Sequence, residues 1–294
     1  MIPIALMIAE NIVSDAPDRR ADAQLYDLQL DALRRGFAPA GLSIEPVGWA
    51  REDVDWRRFG AVLVHCAWDY QDRHEDFLAT LDRITSLGAP VFNSPAMVRW
   101  NIRKTYLCDF EAQGVPIIPT LWPEHPAASD IRHAFDAFDC GDVVLKRQVG
   151  GGARAQERYT KETAPQSGRV LDRPGMIQPF VTSIATEGEY SFLFVDGAFS
   201  HALIKRAKRG DYRIQEAYGG VSSAIAPAPA DLDQARAVLA VMDELPLYAR
   251  VDMVRGDNGE LLLMELEVIE PYLFPQDGPR IGVMLGKALR KRLG

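Results

Sequence analysis

The amino-acid sequence predicts an α/β region built on a parallel sheet, followed by an α+β region. Over roughly the first hundred residues, apolar runs typical of buried strands alternate with segments of helical periodicity, which is the pattern of an open parallel sheet. Later apolar runs are separated by turn signals such as Asp196-Gly197, which is typical of antiparallel hairpins. A chain of 294 residues has room for about two such domains.

The first region alternates strands and helices. Residues 2–9 are apolar throughout, so we expect a strand covered on both faces. The other predicted elements are a helix at 22–35, strands at 42–47 and 61–66, a helix at about 75–87 and a strand or turn at 90–93. Ligands of parallel sheets lie beyond the carboxyl ends of the strands. The candidate substrate-binding residues at these ends are Trp68, Asp69, Tyr70 and Asn93. Asp69 could hold a substrate amine or be only a turn residue before the helix.

The second region begins near residues 95–115. Residues 101–107, which include Lys104, are expected to open a helix. Strands are predicted at 115–121, 142–146, 176–180, 190–195 and 199–204. A helix at 231–245, a hairpin at 248–267 and a basic C-terminal helix follow.

Composition argues against several classes of protein. The net charge of −8 is unfavourable for non-specific binding to nucleic acid, because that binding needs a basic surface. The three cysteines form no CxxC pair, so we expect neither a disulfide framework nor a zinc cluster. The apolar N-terminal run is too short to cross a membrane and has no basic leader. We therefore expect a cytoplasmic protein without a membrane or nucleic-acid partner.

The most informative segment is the predicted hairpin at 248–267. Asn258-Gly259 is a strong turn signal. A turn centred there places Asp252 opposite Glu265 and Arg250 opposite Glu267. Side chains alternate along a strand, so these four side chains share one face of the hairpin.

The same alternation places apolar side chains on the opposite face, namely those of Met253, Leu262 and Met264. On the first face, three neighbouring carboxylates repel one another unless a cation neutralises them. Mg²⁺ prefers such oxygen ligands, so the face is a candidate magnesium site. The alternative is a solvated sheet face on which Arg250 pairs with an acidic neighbour.

A glycine-rich loop follows a lysine at the end of a buried strand. Lys146 precedes Gly150, Gly151 and Gly152. Glycine lets backbone N–H groups approach a phosphate closely, and lysine adds a positive charge there. The loop has no Walker A or dinucleotide-binding motif, so a flexible surface turn is the alternative. Lys104 offers a second cation, or is only a solvated surface lysine.

A third segment suits an adenosine. The apolar strand at 176–180 ends at Phe180-Val181, and Glu187 and Glu189 follow it. A strand end can present its backbone to the edge of a base, while a carboxylate can bind the ribose hydroxyls. Taken alone, the segment is equally typical of an edge strand.

Together these segments resemble the ATP-grasp superfamily over residues 60–275, most specifically in Arg250-x-Asp252 followed by Glu265-x-Glu267. Within it, the chain is similar to ligases of the glutathione-synthetase and RimK type. The 68–70 loop and the segments 205–213 and 267–271 are most similar to the O-ureido-serine cyclo-ligases that form cycloserine. The resemblance implies a Rossmann-like pre-ATP domain at 1–98 and an ATP-grasp domain at 99–294, with a lid at about 112–182 and a large subdomain at about 183–294.

The resemblance implies ATP and two Mg²⁺ ions as cofactors and a role for each candidate residue. The residues implied to bind ATP fall into four groups. They are Lys104 and Lys146 at the phosphates, Gly150, Gly151 and Gly152 as the flap, Gln178, Phe180 and Val181 at the adenine, and Glu187 or Glu189 at the ribose. The implied Mg²⁺ ligands are Asp252, Glu265 and Glu267. The implied catalytic residues are Arg250 at the charged intermediate, Lys205 near the γ-phosphate and Arg213 at the substrate carboxylate.

Two departures from the family pattern bear on these roles. Glu267 stands where many relatives have asparagine, so the metal site carries more negative charge. Arg147 follows Lys146 where relatives have proline, so the geometry of the flap is expected to differ.

The function implied is that of an ATP-dependent carboxylate–amine ligase that acts through an acyl phosphate on a small amino-acid-like substrate. Cyclisation of an O-ureido-serine-like compound is the first candidate reaction. The alternatives are an intermolecular amino-acid or peptide ligase and a non-catalytic ATP-binding module. Relatives in the superfamily are often dimers or tetramers, so a homo-oligomer is compatible with this interpretation.

Overall fold

The N-terminal part of the protein is a four-stranded parallel sheet in the order β2-β1-β3-β4. The structure is a computed structural model that describes residues 1–13, 16–152, 154–208 and 219–294. The strands are Ile2–Ile8 (β1), Leu42–Gly48 (β2), Ala61–Cys66 (β3) and Val91–Phe92 (β4), and the flanking helices are Ala23–Phe37 (α1) and His74–Ser86 (α2). The parallel sheet predicted from the alternating pattern is therefore confirmed.

Two short helices, Pro95–Asn101 (α3) and Tyr106–Ala112 (α4), follow the parallel sheet. Lys104 lies in the turn between them. The predicted segment 101–107 does open a helix, because α4 begins at Tyr106, but Lys104 itself precedes that helix. In this turn the Lys104 backbone N–H donates to the Gln148 carbonyl at 2.8 Å. The turn is thereby fastened to the segment that leads into the glycine loop.

A three-stranded antiparallel sheet, which we call the lid sheet, comes next in the order β6-β5-β7. Its elements are Ala128–Ala137 (α5), Asp142–Arg147 (β5), Glu157–Thr160 (β6) and Gly175–Pro179 (β7). The strand predicted at 115–121 is wrong, because this segment makes only isolated bridges, including one from Leu121 to Ile177. Pro116 and Pro119 have no N–H group to donate, which prevents continuous pairing.

A five-stranded antiparallel sheet, which we call the large sheet, has the order β10-β9-β8-β11-β12. Its elements are Ser183–Thr186 (α6), Glu189–Val195 (β8), Ala198–Arg206 (β9), Val221–Ile225 (β10), Pro229–Ala240 (α7), Tyr248–Arg255 (β11), Leu261–Glu267 (β12) and Ile281–Arg292 (α8). Helix α7 ends earlier than the predicted 231–245. Among the described residues, no helix combines the length and the apolar character needed to cross a membrane.

The β11–β12 hairpin has the predicted register where its carboxylates lie, with Asp252 opposite Glu265 and Arg250 opposite Glu267. Beyond Asp252 the register shifts by one residue at a bulge. Met264 lines the same cavity as Glu265, so the prediction that it faces away from the carboxylates is wrong. The bulge breaks the alternation on which that prediction depended.

The C-terminal helix α8 completes the core around the N-terminal sheet. It packs on α1, and Leu285 and Leu289 share a core with Leu6 of β1. The two helices are so close that a Cβ on Gly282 would lie 2.2 Å from the Ala32 carbonyl oxygen. The N-terminal core therefore contains residues from both sides of the predicted boundary at residue 98.

Candidate active site

A cavity of about 80 Å³ is bordered by residues of the lid sheet, the glycine loop and the large sheet. It brings together many of the predicted nucleotide and metal residues: Lys104, Lys146, the glycine loop 150–152, Glu189, Asp252 and Glu265. Pockets that hold small molecules or cofactors usually have volumes of about 300–1,000 Å³. The cavity as it stands is therefore smaller than such a pocket.

Lys104 connects the glycine loop with the carboxylate hairpin. Its ammonium group donates to Glu265 Oε1 at 2.7 Å and to the Gly150 carbonyl at 2.5 Å. Burial lowers the pKa of Lys104, but the hydrogen bond to Glu265 and the attraction by Glu265, Glu267 and Glu270 together outweigh this effect, so that the pKa is raised overall. A protonated lysine placed here can exchange its carboxylate partner for a phosphate oxygen.

Lys146, at the end of β5, is oriented by neutral hydrogen-bond partners. Its ammonium group donates to Gln178 Oε1 at 3.0 Å, and the Gln178 amide donates to the Thr120 hydroxyl at 2.9 Å. Burial lowers the pKa of Lys146. Among the described residues no carboxylate forms an ion pair with it, so an incoming anion would supply the missing countercharge. Gln178 orients this lysine, whereas the resemblance placed it at the adenine.

Asp252 lies on the buried face of the large sheet beside two cations. Arg250 Nη2 lies 2.8 Å from Asp252 Oδ2, Lys205 Nζ lies 3.4 Å from Oδ1, and the Ser191 hydroxyl donates to Oδ1. Burial alone would raise the pKa of Asp252, but Arg250 and Lys205 lower it to about 2. Lys205 also pairs with Glu189, so the cation predicted near the γ-phosphate lies between two carboxylates.

Glu267 shares the Arg250 guanidinium with Asp252. Burial raises the pKa of Glu267 to about 7 in spite of Arg250, and repulsion from Glu265 and Asp252 contributes to the increase. Negative charge on this face of the hairpin is therefore only partly compensated by the neighbouring cations.

The hairpin carboxylates fit Mg²⁺ by their chemistry. Asp252, Glu265 and Glu267 offer hard oxygen donors at adjacent register positions, and their mutual repulsion would be relieved by a divalent cation. In the described part of the chain, no three His, Cys, Asp or Glu side chains already form a compact metal cluster. Lys104 and Arg250 pair with Glu265 and Glu267, and these pairs would have to rearrange as the ion binds.

The other residues predicted at the adenine lie away from the cavity wall. The Arg158 guanidinium lies 3.7 Å from the centroid of the Phe180 ring, and Val181 beside it is half-buried. The Phe180 backbone N–H donates to the Asp142 carbonyl at 2.9 Å, which leaves it unavailable to a base. The adenine contacts of Phe180 and Val181 stay a prediction.

The two acids predicted at the ribose lie in different surroundings. Glu187 pairs with Arg255 at 3.0 Å, and Arg255 also pairs with Asp231 at 2.9 Å. Glu189 lines the cavity instead, and burial raises its pKa. The structure therefore brings Glu189 to the site and leaves Glu187 in a separate ion-pair cluster.

The predicted substrate loop 68–70 contacts the residue that follows the hairpin. Trp68 Nε1 donates to the Glu270 carbonyl at 2.9 Å, and the Tyr70 hydroxyl interacts with the Glu270 carboxyl group. Asp69 accepts a hydrogen bond from Trp49 Nε1 at 2.6 Å. This indole bond favours the interpretation of Asp69 as a residue that holds the loop in place.

Asn93 has a structural role that contradicts its assignment to the substrate. Its amide nitrogen donates to the Tyr248 and Val268 carbonyls at 2.9 and 2.7 Å, and its oxygen accepts from Leu247 N–H at 2.6 Å. With 1% of its surface exposed, it fastens the parallel sheet to the large sheet. Arg213, predicted at the substrate carboxylate, lies outside the described residues.

Glu270 is a candidate that the motif analysis missed. Burial raises the pKa of Glu270 to about 8, Glu267 and Glu265 add repulsion, and Lys104 acts in the opposite direction. Within the described ranges no lysine or arginine forms an ion pair with this carboxyl group. Glu270 belongs to the segment 267–271 that carries part of the resemblance, but nothing in that segment assigned a role to its side chain.

Comparison with known proteins places the chain in a family. Residues 6–93 match the family described as D-cycloserine synthetase DcsG, N-terminal domain. The chain is 31% identical over 288 residues to the cycloserine biosynthesis protein DcsG of Streptomyces lavendulae, which covers 91% of this chain and 94% of that protein. A crystal structure of D-cycloserine synthetase DcsG matches with a TM-score of 0.83 and 26% identity, over 99% of this chain and 100% of its own. The ATP-grasp ligase PsnB, in a complex with a phosphomimetic variant of its minimal precursor, Mg and ADP, matches with a TM-score of 0.67 and 17% identity, over 99% and 98%. The predicted fold and resemblance are confirmed, and the chain belongs to the DcsG family of ATP-dependent ligases with the ATP-grasp fold.

Proposed function

We propose that this ligase converts the carboxylate of a small amino-acid-like substrate into an acyl phosphate and closes a ring on a nitrogen of the same molecule. The observation that carries the proposal is the convergence of Lys104 and Lys146 with Asp252 and Glu265 on one cavity beneath the glycine loop. A carboxylate is a poor electrophile in water. Transfer of the γ-phosphoryl group supplies the leaving group that the attack of nitrogen requires.

Charged residues of the cavity wall and of the adjacent hairpin would have distinct tasks in this reaction. Lys104 and Lys146 would bind phosphate oxygens and neutralise their charge during transfer. Arg250, already buried between two carboxylates, would stabilise the charged acyl intermediate. Mg²⁺ held by the hairpin carboxylates would neutralise further phosphate charge.

Glu270 supports a substrate that carries an amino group. A half-buried carboxylate with no ion-pair partner is stabilised by a nearby cation, and an ammonium group next to the activated carboxylate would supply one. The 31% identity to a cycloserine biosynthesis protein supports cyclisation of an O-ureido-serine-like compound over the joining of two molecules. An intermolecular amino-acid or peptide ligase is the second candidate.

The reaction type can be tested by release of ADP. The protein is incubated with ATP, Mg²⁺ and a library of amino-acid-like carboxylates, with and without added amines. We expect ADP formation that requires a carboxylate and Mg²⁺, needs no added amine and stops with a chelator. ADP formation that depends on an added amine would favour the intermolecular ligase. Nucleotide binding without ADP formation for any carboxylate would favour a non-catalytic module.

Two substitutions test the assignment of the cavity. We expect Lys146→Ala and Glu265→Ala each to reduce ADP release by about a hundredfold or more, because each removes a charge that acts on the transferred phosphoryl group. Lys161→Ala and Glu260→Ala are matched controls, since both side chains are exposed. Lys161 lies on the lid, as Lys146 does, and Glu260 lies on the same hairpin as Glu265. Thermal melting verifies that all four variants are folded. Full ADP release by a folded Lys146→Ala or Glu265→Ala variant contradicts the assignment.

A further inference from the structure

One carboxylate next to the substrate loop contacts three arginines of the lid. Asp72, two residues beyond Tyr70, lies 3.3 Å from Arg147, 3.1 Å from Arg154 and 3.5 Å from Arg173. We call these four residues the Asp72 cluster. Arg147 precedes the glycine loop and Arg154 follows it, so both ends of the loop are connected to one side chain.

The neighbouring Gln71 supports the backbone of the same loop. A Cβ on Gly151 would lie 2.9 Å from Gln71 Nε2, so the end of the Gln71 side chain lies directly against the loop. Gly150 has φ +153° and its carbonyl accepts from Lys104 at 2.5 Å. The glycine loop is therefore held between Lys104 on one side and the segment 71–72 on the other.

We propose that Asp72 is a positioning residue that holds the glycine loop closed over the bound nucleotide and links this closure to the substrate loop. The cavity is smaller than a nucleotide and the glycine loop forms one of its walls, so opening of this loop would admit the nucleotide and its closure would cover it. Arg147 and Arg154 line the cavity and also pair with Asp72. Asp72 thus fixes two cations beside the position of the phosphates.

The charge balance of the Asp72 cluster suits this task. Three guanidinium groups share one carboxylate, so the cluster keeps a positive excess that can act on an anion in the cavity. The Arg147 side chain is 11% exposed, and its Nε is buried without a hydrogen-bond partner. Asp72 itself is 44% exposed, so we expect changes of several-fold rather than complete loss of activity.

The role of Asp72 in holding the loop does not depend on the proposed function. Only the expected effect of closure on the acyl phosphate rests on that function. A closed loop excludes water from the acyl phosphate, whereas a loosened loop lets water attack it. Water attack on the acyl phosphate would regenerate the carboxylate and release inorganic phosphate, with ADP already formed. A weakened cluster should therefore raise the ratio of ADP to ligated product above one.

The kinetic test compares Asp72→Asn with Asp172→Asn. Asp172 also pairs with Arg173, at 3.2 Å, but it belongs to the lid and is 77% exposed, so its variant loses the same charge without loss of the contact between segments. We expect Asp72→Asn to raise the KM for ATP about three- to tenfold and to raise the ratio of ADP to product. Asp172→Asn should leave both values unchanged, and Asp72→Glu should restore them in part. Unchanged values for Asp72→Asn, or equal changes in the control, overturn the proposal.

A second readout does not depend on any substrate. Trypsin cleavage between residues 147 and 158 is followed by mass spectrometry, with and without the non-hydrolysable analogue AMPPNP. Asp72→Asn should be cleaved several-fold faster than the wild-type protein and Asp172→Asn when AMPPNP is bound. Equal cleavage of all three proteins overturns the proposal even if no carboxylate substrate is found. Faster cleavage of Asp72→Asn alone supports the positioning role even if the ligase reaction is wrong.

Discussion

Glu270 differs from the other carboxylates of the hairpin region in its partners. Asp252 and Glu267 share Arg250, and Glu265 pairs with Lys104. For Glu270 the described part of the chain offers the Tyr70 hydroxyl and the attraction of Lys104, but Lys104 is paired with Glu265 and no described cation forms an ion pair with Glu270. The substrate is therefore the natural source of the compensating charge.

Replacement of Glu270 by glutamine tests this assignment. We expect Glu270→Gln to raise the KM for an amino-bearing substrate about tenfold or more, because one charge-assisted hydrogen bond is lost, and to leave the KM for ATP nearly unchanged. Steady-state kinetics with each substrate varied in turn give the two values.

Glu187→Gln is the matched control for this variant, since Glu187 lies in the ion-pair cluster with Arg255 and does not line the cavity. It should leave both KM values unchanged. A rise in the KM for ATP in Glu270→Gln, with no change for the substrate, would assign Glu270 to the metal or nucleotide instead.

His65 is a buried residue with an expected effect on stability. It is 0% exposed, both ring nitrogens lack a hydrogen-bond partner, and its ring lies 4.6 Å from that of Tyr248. Burial lowers the pKa of His65 to about 3. The unfolded chain therefore binds a proton near pH 6.5 that the folded protein does not accept.

The direction of the resulting pH dependence follows from this difference. The contribution of neutral His65 to the free energy of unfolding is fully present well above pH 6.5. It is lost as the pH falls towards 3, by up to about 1.4 kcal/mol per pH unit. We expect the difference in free energy of unfolding between wild-type protein and His65→Leu to decrease by about 2 kcal/mol from pH 6.5 to pH 5. Urea unfolding at several pH values measures it. His133→Leu, at an exposed position, should show no such trend, and a constant difference for His65→Leu contradicts the prediction.

Among the elements, the α1–α8 pair has the least tolerance for added volume. A Cβ on Gly282 would lie 2.2 Å from the Ala32 carbonyl oxygen, so Gly282→Ala must separate the helices. We expect a loss of about 1–3 kcal/mol in the free energy of unfolding, in spite of the better helix propensity of alanine. Chemical denaturation checks this. Gly141→Ala, with no atom within 4 Å of the added Cβ, should be neutral, and equal stability of both variants would contradict the packing argument.

The elements that sequence reasoning identified best are those whose pattern is local. The strand at 61–66 coincides with β3, because a short run that is apolar except for His65 is typical of a strand covered on both faces in a parallel sheet. A turn centred on Asn258-Gly259 predicts the pairing of Asp252 with Glu265, which the structure has although the register next to the turn is shifted by one residue. The bulge beside that pair was not predictable, because its cause lies in packing against other strands and leaves no mark in the local pattern.

For the molecule as a whole, the phosphate and metal side of the site was largely predictable, and the substrate side was not. Lys146, the glycine loop and the hairpin carboxylates each occur in a short motif. Asn93 and Glu270 depend on contacts with residues far away in sequence. Asn93 binds the Tyr248 carbonyl, and no local pattern distinguishes that contact from exposure at the end of a strand.

The packing of α8 on α1 also has a consequence for synthesis on the ribosome. Strand β1 and helix α1 emerge long before α8, yet Leu6 shares its core with Leu285 and Leu289. Until α8 emerges, part of the apolar surface of the nascent N-terminal sheet is uncovered, although N-terminal domains commonly fold first during translation. We therefore expect the native packing of this sheet to be completed only after α8 has emerged from the ribosome.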